Sequence, residues 1–176
     1  MASNPTLARK VFLAAHITGS FKLRSGATSS EYFDKYRFEA DPLLLREIAT
    51  ALSSRIRGEF DALAGLEMGG IPIATMLSQV TGLPLLLIRK KAKDYGTCRY
   101  AEGGEVKGRR LLIVEDVVTS GGQILESAAA LRADGALITE VVCVIDRQAG
   151  GAEALTKAGL NLTSLFTMAE LKAAAS

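Results

Sequence analysis

The sequence is short of the residues that hold small, secreted or metal-built folds together. Its two cysteines, Cys98 and Cys143, cannot form a disulfide framework. With a single histidine, His16, the usual structural zinc patterns are excluded as well, and a reducing, cytoplasmic compartment is the default. No apolar run approaches the ~20 residues that span a bilayer. The N-terminal stretch MASNPTLARKVFLAAH is too short and too interrupted for a secretory core. Charge of one sign is lacking too: 21 Lys and Arg against 19 Asp and Glu leave a net +2, which gives no global reason to expect a nucleic-acid or membrane partner. Two phosphate motifs are missing. There is no Gly, four residues, Gly-Lys and Ser or Thr, and no Gly-x-Gly-x-x-Gly opens a helix after a strand.

What is present is an ordinary globular composition, 48% hydrophobic and 23% charged over 176 residues, which fits one domain over 1–176. The charge is unevenly placed. Residues 89–110 hold eight bases and three acids, a local +5, which leaves −3 for the rest. Short apolar runs at Ala62–Leu66, Leu85–Ile88, Leu111–Val114, Val141–Ile145 and Leu160–Leu165 suit buried strands. Helical patterns lie between them, at Ile73–Val80 and at Ile124, Leu125, Ala128 and Leu131, so the alternation predicts a parallel sheet with helices on both faces.

The first sixty residues differ. Asp41-Pro42 reads as a helix start, followed by an apolar stripe of Leu45, Ile48, Ala49, Leu52 and Ile56. Upstream, Ser20 to Phe38 suits a turn between short strands, so residues 1–60 are expected to cap a core spanning 61–170. The Ala-rich end, Ala173 to Ser176, is expected to fray.

The most informative segment is RRLLIVEDVVTSGGQILES, Arg109 to Ser127. A strand delivers Glu115 and Asp116, and a Thr-Ser-Gly-Gly turn then opens a helix. In an open α/β sheet, ligands sit beyond the carboxyl ends of the strands, so the acid pair is expected at the ligand crevice. Backbone N–H groups of Thr119 to Gly122, at a positive helix terminus, make a phosphate cradle. Carboxylates beside a phosphate need another object. Adjacent sugar hydroxyls fit, and so does Mg²⁺ between the acids and a diphosphate; a phosphorylated ribose meets all these demands.

The segment Ile113 to Gln123, IVEDVVTSGGQ, resembles the phosphoribosyl diphosphate (PRPP) motif of the type I phosphoribosyltransferases. Three further segments resemble the orotate phosphoribosyltransferases. FKLRSGATSSEYFD, Phe21 to Asp34, is similar to a segment ending in an aromatic pair stacked on the base, here Tyr32-Phe33. RKKAKDYGTCRYAEGGEVKG, Arg89 to Gly108, is similar to a mobile catalytic loop, and its Gly96, Gly103 and Gly104 suit a lid. VIDRQAGG, Val144 to Gly151, is similar to a segment whose arginine, here Arg147, reaches the substrate. GLEMGGIPIA, Gly65 to Ala74, resembles the family's diphosphate loop.

The resemblance implies a type I phosphoribosyltransferase-like α/β fold with a small N-terminal hood, and the reaction of PRPP with orotate. It places Lys93, Glu115 and Asp116 in catalysis. PRPP would be held by Arg89, Lys90, Lys93, Tyr95, Glu115, Asp116, Val117, Val118, Thr119, Ser120, Gly121, Gly122 and Gln123, and orotate by Arg24, Tyr32, Phe33, Thr119 and Arg147. Mg²⁺ is implied as cofactor, held mainly through PRPP and water and not by a set of protein ligands. A homodimer is implied, with Lys90 carried by its loop into the other subunit's site; nucleic acid and membrane are not expected partners. Three positions depart from the common pattern. Arg24 and Gly69 stand where many members have Lys, and Tyr95 where many have His, so one diphosphate contact at Gly69 is expected to be missing. A phosphoribosyltransferase for another base, or a PRPP-sensing regulator that binds nucleic acid, would keep the same motif.

Overall fold

The computed structural model describes residues 4–22, 26, 28–91 and 99–176. The chain opens with helix α1 (Pro5–Ala15), an antiparallel hairpin of β1 (His16–Lys22) and β2 (Thr28–Phe33), a short helix α2 (Tyr36–Glu39) and helix α3 (Pro42–Ser53). There follow β3 (Ala62–Leu66), α4 (Gly70–Thr81), β4 (Leu85–Ile88), β5 (Ala101–Glu102), β6 (Arg110–Val118) and α5 (Gly122–Ala133). The chain then runs through β7 (Leu137–Asp146), α6 (Gly151–Lys157), β8 (Asn161–Thr167) and α7 (Met168–Ala175).

The main sheet has six strands in the order β5-β4-β3-β6-β7-β8. All its pairs are parallel except the one between β4 and β5 at the edge. Alternation along the strands feeds two cores. Leu112 and Val114 of β6 face one, with Ile73, Ala74 and Leu77 of α4 and Ile48 and Leu52 of α3. Leu111 and Ile113 face the other, with Ile124, Ala128 and Leu131 of α5 and Leu155 of α6. This is the layered arrangement expected of βαβ units.

The sheet order also creates the crevice. From β3 the chain passes outward to β4 on one side, and β6 then returns to pair on the other side of β3. The strand order therefore reverses at the β3–β6 boundary, and the carboxyl ends of these two strands diverge into loops that leave space for a ligand. Gly65 of β3 lies level with Val114 of β6, so the residues that follow each of them enter that space together.

The strands at Ala62–Leu66 and Leu85–Ile88 coincide with the expected runs, whereas β6, β7 and β8 are longer. Strand β6 continues past the acid pair to Val118, because the ladder to β7 persists through Val118–Asp146. The Asp41 side chain caps α3 by accepting from the N–H groups of Leu43 and Leu44 at 3.0 and 3.1 Å. That helix ends at Ser53, so Ile56 packs partly buried beyond it and not on its stripe. The C-terminal end does not fray before Ala175. Thr167 and Glu170 form a capping box at the start of α7, and Leu171 anchors the helix in the core beside α1. No helix among the described residues is long and apolar enough to cross a membrane.

Candidate active site

The acid pair occupies the second half of β6. Glu115 and Asp116 are 8% and 1% exposed, far more buried than an acid pair at a loop entrance. The Asp116 N–H donates to Glu115 Oε1 at 3.1 Å, and the Val117 N–H donates to Asp116 Oδ1. On its other oxygen, Asp116 forms an ion pair with Lys35, which immediately precedes α2. Glu39, at the end of α2, is 7% exposed and completes the cluster.

These groups do not share charge equally. Burial pushes the Glu115 carboxyl well up, and its hydrogen bond and proximity to Asp116 push it further. Burial and Asp116 likewise push Glu39 up to about 9. Asp116 goes the other way: although burial opposes ionisation, hydrogen bonding from Glu115 and the Lys35 ammonium hold its carboxyl below the ordinary value. The cluster thus concentrates its negative charge on Asp116, facing one ammonium.

Beyond Asp116 the chain forms the expected cradle. Glu115 to Ile124 and Lys35 line a cavity of about 180 Å³. Gly121 adopts a left-handed conformation, φ 77°, that a glycine takes without strain, and this turns the chain into α5. No side chain caps α5, so its first N–H groups are left for a ligand at the positive end of a 12-residue helix. Gln123 is differently employed: its Nε2 donates to the Glu67 carbonyl at 2.6 Å and ties the cradle to the loop between β3 and α4.

A second cavity, about 200 Å³, adjoins the first and shares Lys35, Val117 and Thr119 with it. Its other walls are Tyr32, Phe33, Asp34, Tyr36 and Arg147. Tyr32 and Phe33 reach it from opposite faces of β2. Tyr32 tilts on Phe21 with centroids 5.6 Å apart, and Phe33 on Phe12 at 6.2 Å. They are therefore two walls and not a stacked unit. Arg147 is exposed at the end of β7, held by its N–H donating to the Val118 carbonyl at 2.9 Å. Its neighbour Asp146 accepts from the Gln148 N–H instead of pairing with it.

The basic segment is described only in part. The Arg89 N–H donates to the Tyr100 carbonyl at 3.0 Å, and its guanidinium stands 3.9 Å from Glu102. Lys90 is exposed, with its N–H donating to Glu67 at 3.4 Å. Lys93 and Tyr95, and Arg24 of the hood, lie outside the described residues.

Gly69 explains one departure from the common pattern. A Cβ at this position would fall inside the Asp116 carboxylate and 3.0 Å from Lys35 Nζ, so a side chain at 69 is incompatible with the Lys35–Asp116 pair. Sequence reasoning passed over Lys35 and Glu39. A Lys and a Glu four residues apart read as an exposed helical pair, and only the 80 residues folded between Lys35 and Asp116 bring them to the acid pair.

Comparison with known proteins agrees with this geometry. Residues 37–161 match the phosphoribosyl transferase domain family. The chain is 49% identical over 174 residues to the orotate phosphoribosyltransferase of Nocardioides sp., covering 99% of this chain and 97% of that protein. The crystal structure of Mycobacterium tuberculosis orotate phosphoribosyltransferase superposes with a TM-score of 0.84 at 30% identity, over 95% of this chain and 97% of that one. A structure of the same enzyme in complex with PRPP gives 0.82 at 27% identity, over 96% of this chain and 98% of that one. An acid pair buried at the β3–β6 switch point, a phosphate cradle at an uncapped helix and an adjoining aromatic cavity thus accompany nearly full-length similarity: the chain belongs to the orotate phosphoribosyltransferase family of the phosphoribosyltransferases.

Proposed function

We propose that the protein transfers the 5-phosphoribosyl group of PRPP to orotate, giving orotidine 5′-monophosphate and diphosphate, as a step of pyrimidine biosynthesis in the cytoplasm. The observation that carries this is the pair of adjoining cavities sharing Lys35, Val117 and Thr119. One offers a phosphate cradle with carboxylates for ribose hydroxyls. The other offers flat aromatic walls and a guanidinium, which suit a planar base bearing a carboxylate. A ribose in the first then presents its anomeric carbon to a base in the second.

Substitution at an anomeric carbon passes through a transition state with oxocarbenium character, so the protein's work is positioning and charge placement. The α5 N-terminus, Thr119 and Ser120 hold the 5-phosphate. Asp116 and Glu115 accept the ribose hydroxyls and fix the ring, and the Asp116 charge also favours the developing cation. Arg147 grips the orotate carboxylate with its planar fork, which a lysine cannot match. Arg89, Lys90 and Lys93 belong to the basic segment assigned to the leaving diphosphate, with Lys90 supplied by the second subunit of a homodimer. Closure of that segment would exclude water that otherwise hydrolyses PRPP.

Mg²⁺ is part of this reading. Among the described residues no group of three His, Cys, Asp or Glu side chains could hold a metal ion. Asp116 Oδ2, a buried carboxylate oxygen that pairs with the Lys35 ammonium, is the hard donor that would suit an ion carried in on the diphosphate. When bound, Mg²⁺ would neutralise charge on the leaving group.

The test is substrate choice. With PRPP and Mg²⁺, orotate absorbance should fall and orotidine 5′-monophosphate accumulate, while uracil and hypoxanthine, which lack a carboxylate for Arg147, should react slowly. Consumption of either of those bases at the orotate rate would overturn the assignment of orotate.

A further inference from the structure

Lys35 is in an unusual position for a surface-segment lysine. Its ammonium lies against Asp116 and beside Gly69 and stands 5.2 Å over the Tyr36 ring, and the residue lines both cavities. In this arrangement it covers the Asp116 oxygen that a ribose hydroxyl would need. The same head group sits next to Gly69, at the start of α4, a second 12-residue helix with no side-chain cap. The N-termini of α4 and α5 thus open onto one corner, and Lys35 stands between them.

A ribose on Asp116 therefore needs this cation in a different place. Asp116 belongs to a buried group that also contains Glu39 and Glu115, and Lys35 pairs with it. When ribose hydroxyls take over Asp116, the ammonium is released with more negative charge arriving at the same spot. The α4 terminus is already beside it, since a Cβ on Gly69 would lie 3.0 Å from its Nζ. Glycine at 69 leaves the room for a move there.

Resting on the PRPP reading of the site, we propose that Lys35 guards Asp116 by pairing with it and, on PRPP binding, turns to the diphosphate at the Gly69 end of α4, where it serves as a leaving-group cation supplied by the hood. The hood then senses PRPP through the same lysine that helps the leaving group depart. Each closing of the handover exchanges one charge-assisted contact for another, so PRPP binds without leaving Asp116 or Lys35 unpaired.

Ribose 5-phosphate separates the two roles, because it brings the hydroxyls and the 5-phosphate but no diphosphate. Binding of PRPP and of ribose 5-phosphate is measured by titration calorimetry for the wild type, Lys35→Met, Lys35→Gln and Lys35→Arg, together with KM for each substrate and kcat. Lys35→Gln retains an N–H donor for Asp116 and so keeps the measurement possible if the Met variant does not fold. PRPP affinity should fall about tenfold or more in the Met and Gln variants, as loss of a charge-assisted contact implies. Ribose 5-phosphate should bind them as well as or better than the wild type, kcat should fall, and KM for orotate should stay within about twofold of the wild type on this scale of effects. Lys35→Arg should recover most of the PRPP affinity. Equal losses for PRPP and ribose 5-phosphate, or a change confined to orotate KM, would overturn the handover. A wild type that neither binds PRPP nor consumes orotate would instead overturn the reading of the site, whatever the variants do.

Discussion

Among single residues, the three buried carboxylates behave differently because each has different company. Hydrogen bonding from Glu115 and the Lys35 ammonium holds the Asp116 carboxyl below its ordinary value, whereas burial first, and Asp116 second, push Glu115 and Glu39 up. This has a consequence for stability. The ordinary Glu value is 4.5 and Glu39 in the fold is pushed up to about 9, so the folded state holds this proton more tightly than the unfolded chain does. The contribution is complete below pH 4.5 and is lost as pH rises through 9. Glu39→Gln mimics the protonated form and should flatten the fall in melting temperature toward pH 9, reducing the slope without abolishing it because Glu115 is shifted in the same direction. An unchanged pH profile would show that Glu39 ionises normally. Glu115 and Asp116 were legible from sequence because strand, acids, turn and helix are contiguous in the chain. Lys35, Glu39 and the obstruction at Gly69 were not, because each depends on a contact made across the fold.

At the scale of elements, local chemistry decided most boundaries that were read correctly. Asp41-Pro42 starts α3 because the carboxylate accepts two N–H groups that the first helical turn leaves free. Asp41→Ala should therefore cost about 1 kcal/mol in denaturant unfolding, the usual size of such a cap, and leave PRPP affinity unchanged. Lowered PRPP affinity in that variant would mean that the hood transmits strain from α3 to the site. The strand cores of β6, β7 and β8 were legible as apolar runs, but their ends were not, since a ladder continues through polar residues as long as its neighbour does. Helices α1 and α7 were harder. Asn4 caps α1 and the Thr167–Glu170 box caps α7, yet both helices owe their burial to packing against each other from opposite ends of the chain.

For the molecule as a whole, the order β5-β4-β3-β6-β7-β8 is what turns separate motifs into a site. It sets the loop after β3 and the acid pair of β6 at one reversal point, while the β1–β2 hairpin and α2 bring Tyr32, Phe33, Lys35 and Glu39 over it. The near-neutral charge of the chain is divided in the same way, with the basic segment following β4 and the buried acids on β6. Parallel βαβ organisation was legible from alternation alone; the order of the strands was not, because apolar runs do not say which of them are neighbours. The central claim is that this corner holds the ribose of PRPP through Glu115 and Asp116. It is tested most directly by the rate of orotate consumption with PRPP and Mg²⁺ in the wild type and in the Glu115→Gln/Asp116→Asn double variant, with circular dichroism and thermal unfolding confirming that both are folded. A folded double variant without measurable turnover beside an active wild type is the predicted result; near-normal turnover in the double variant would contradict it.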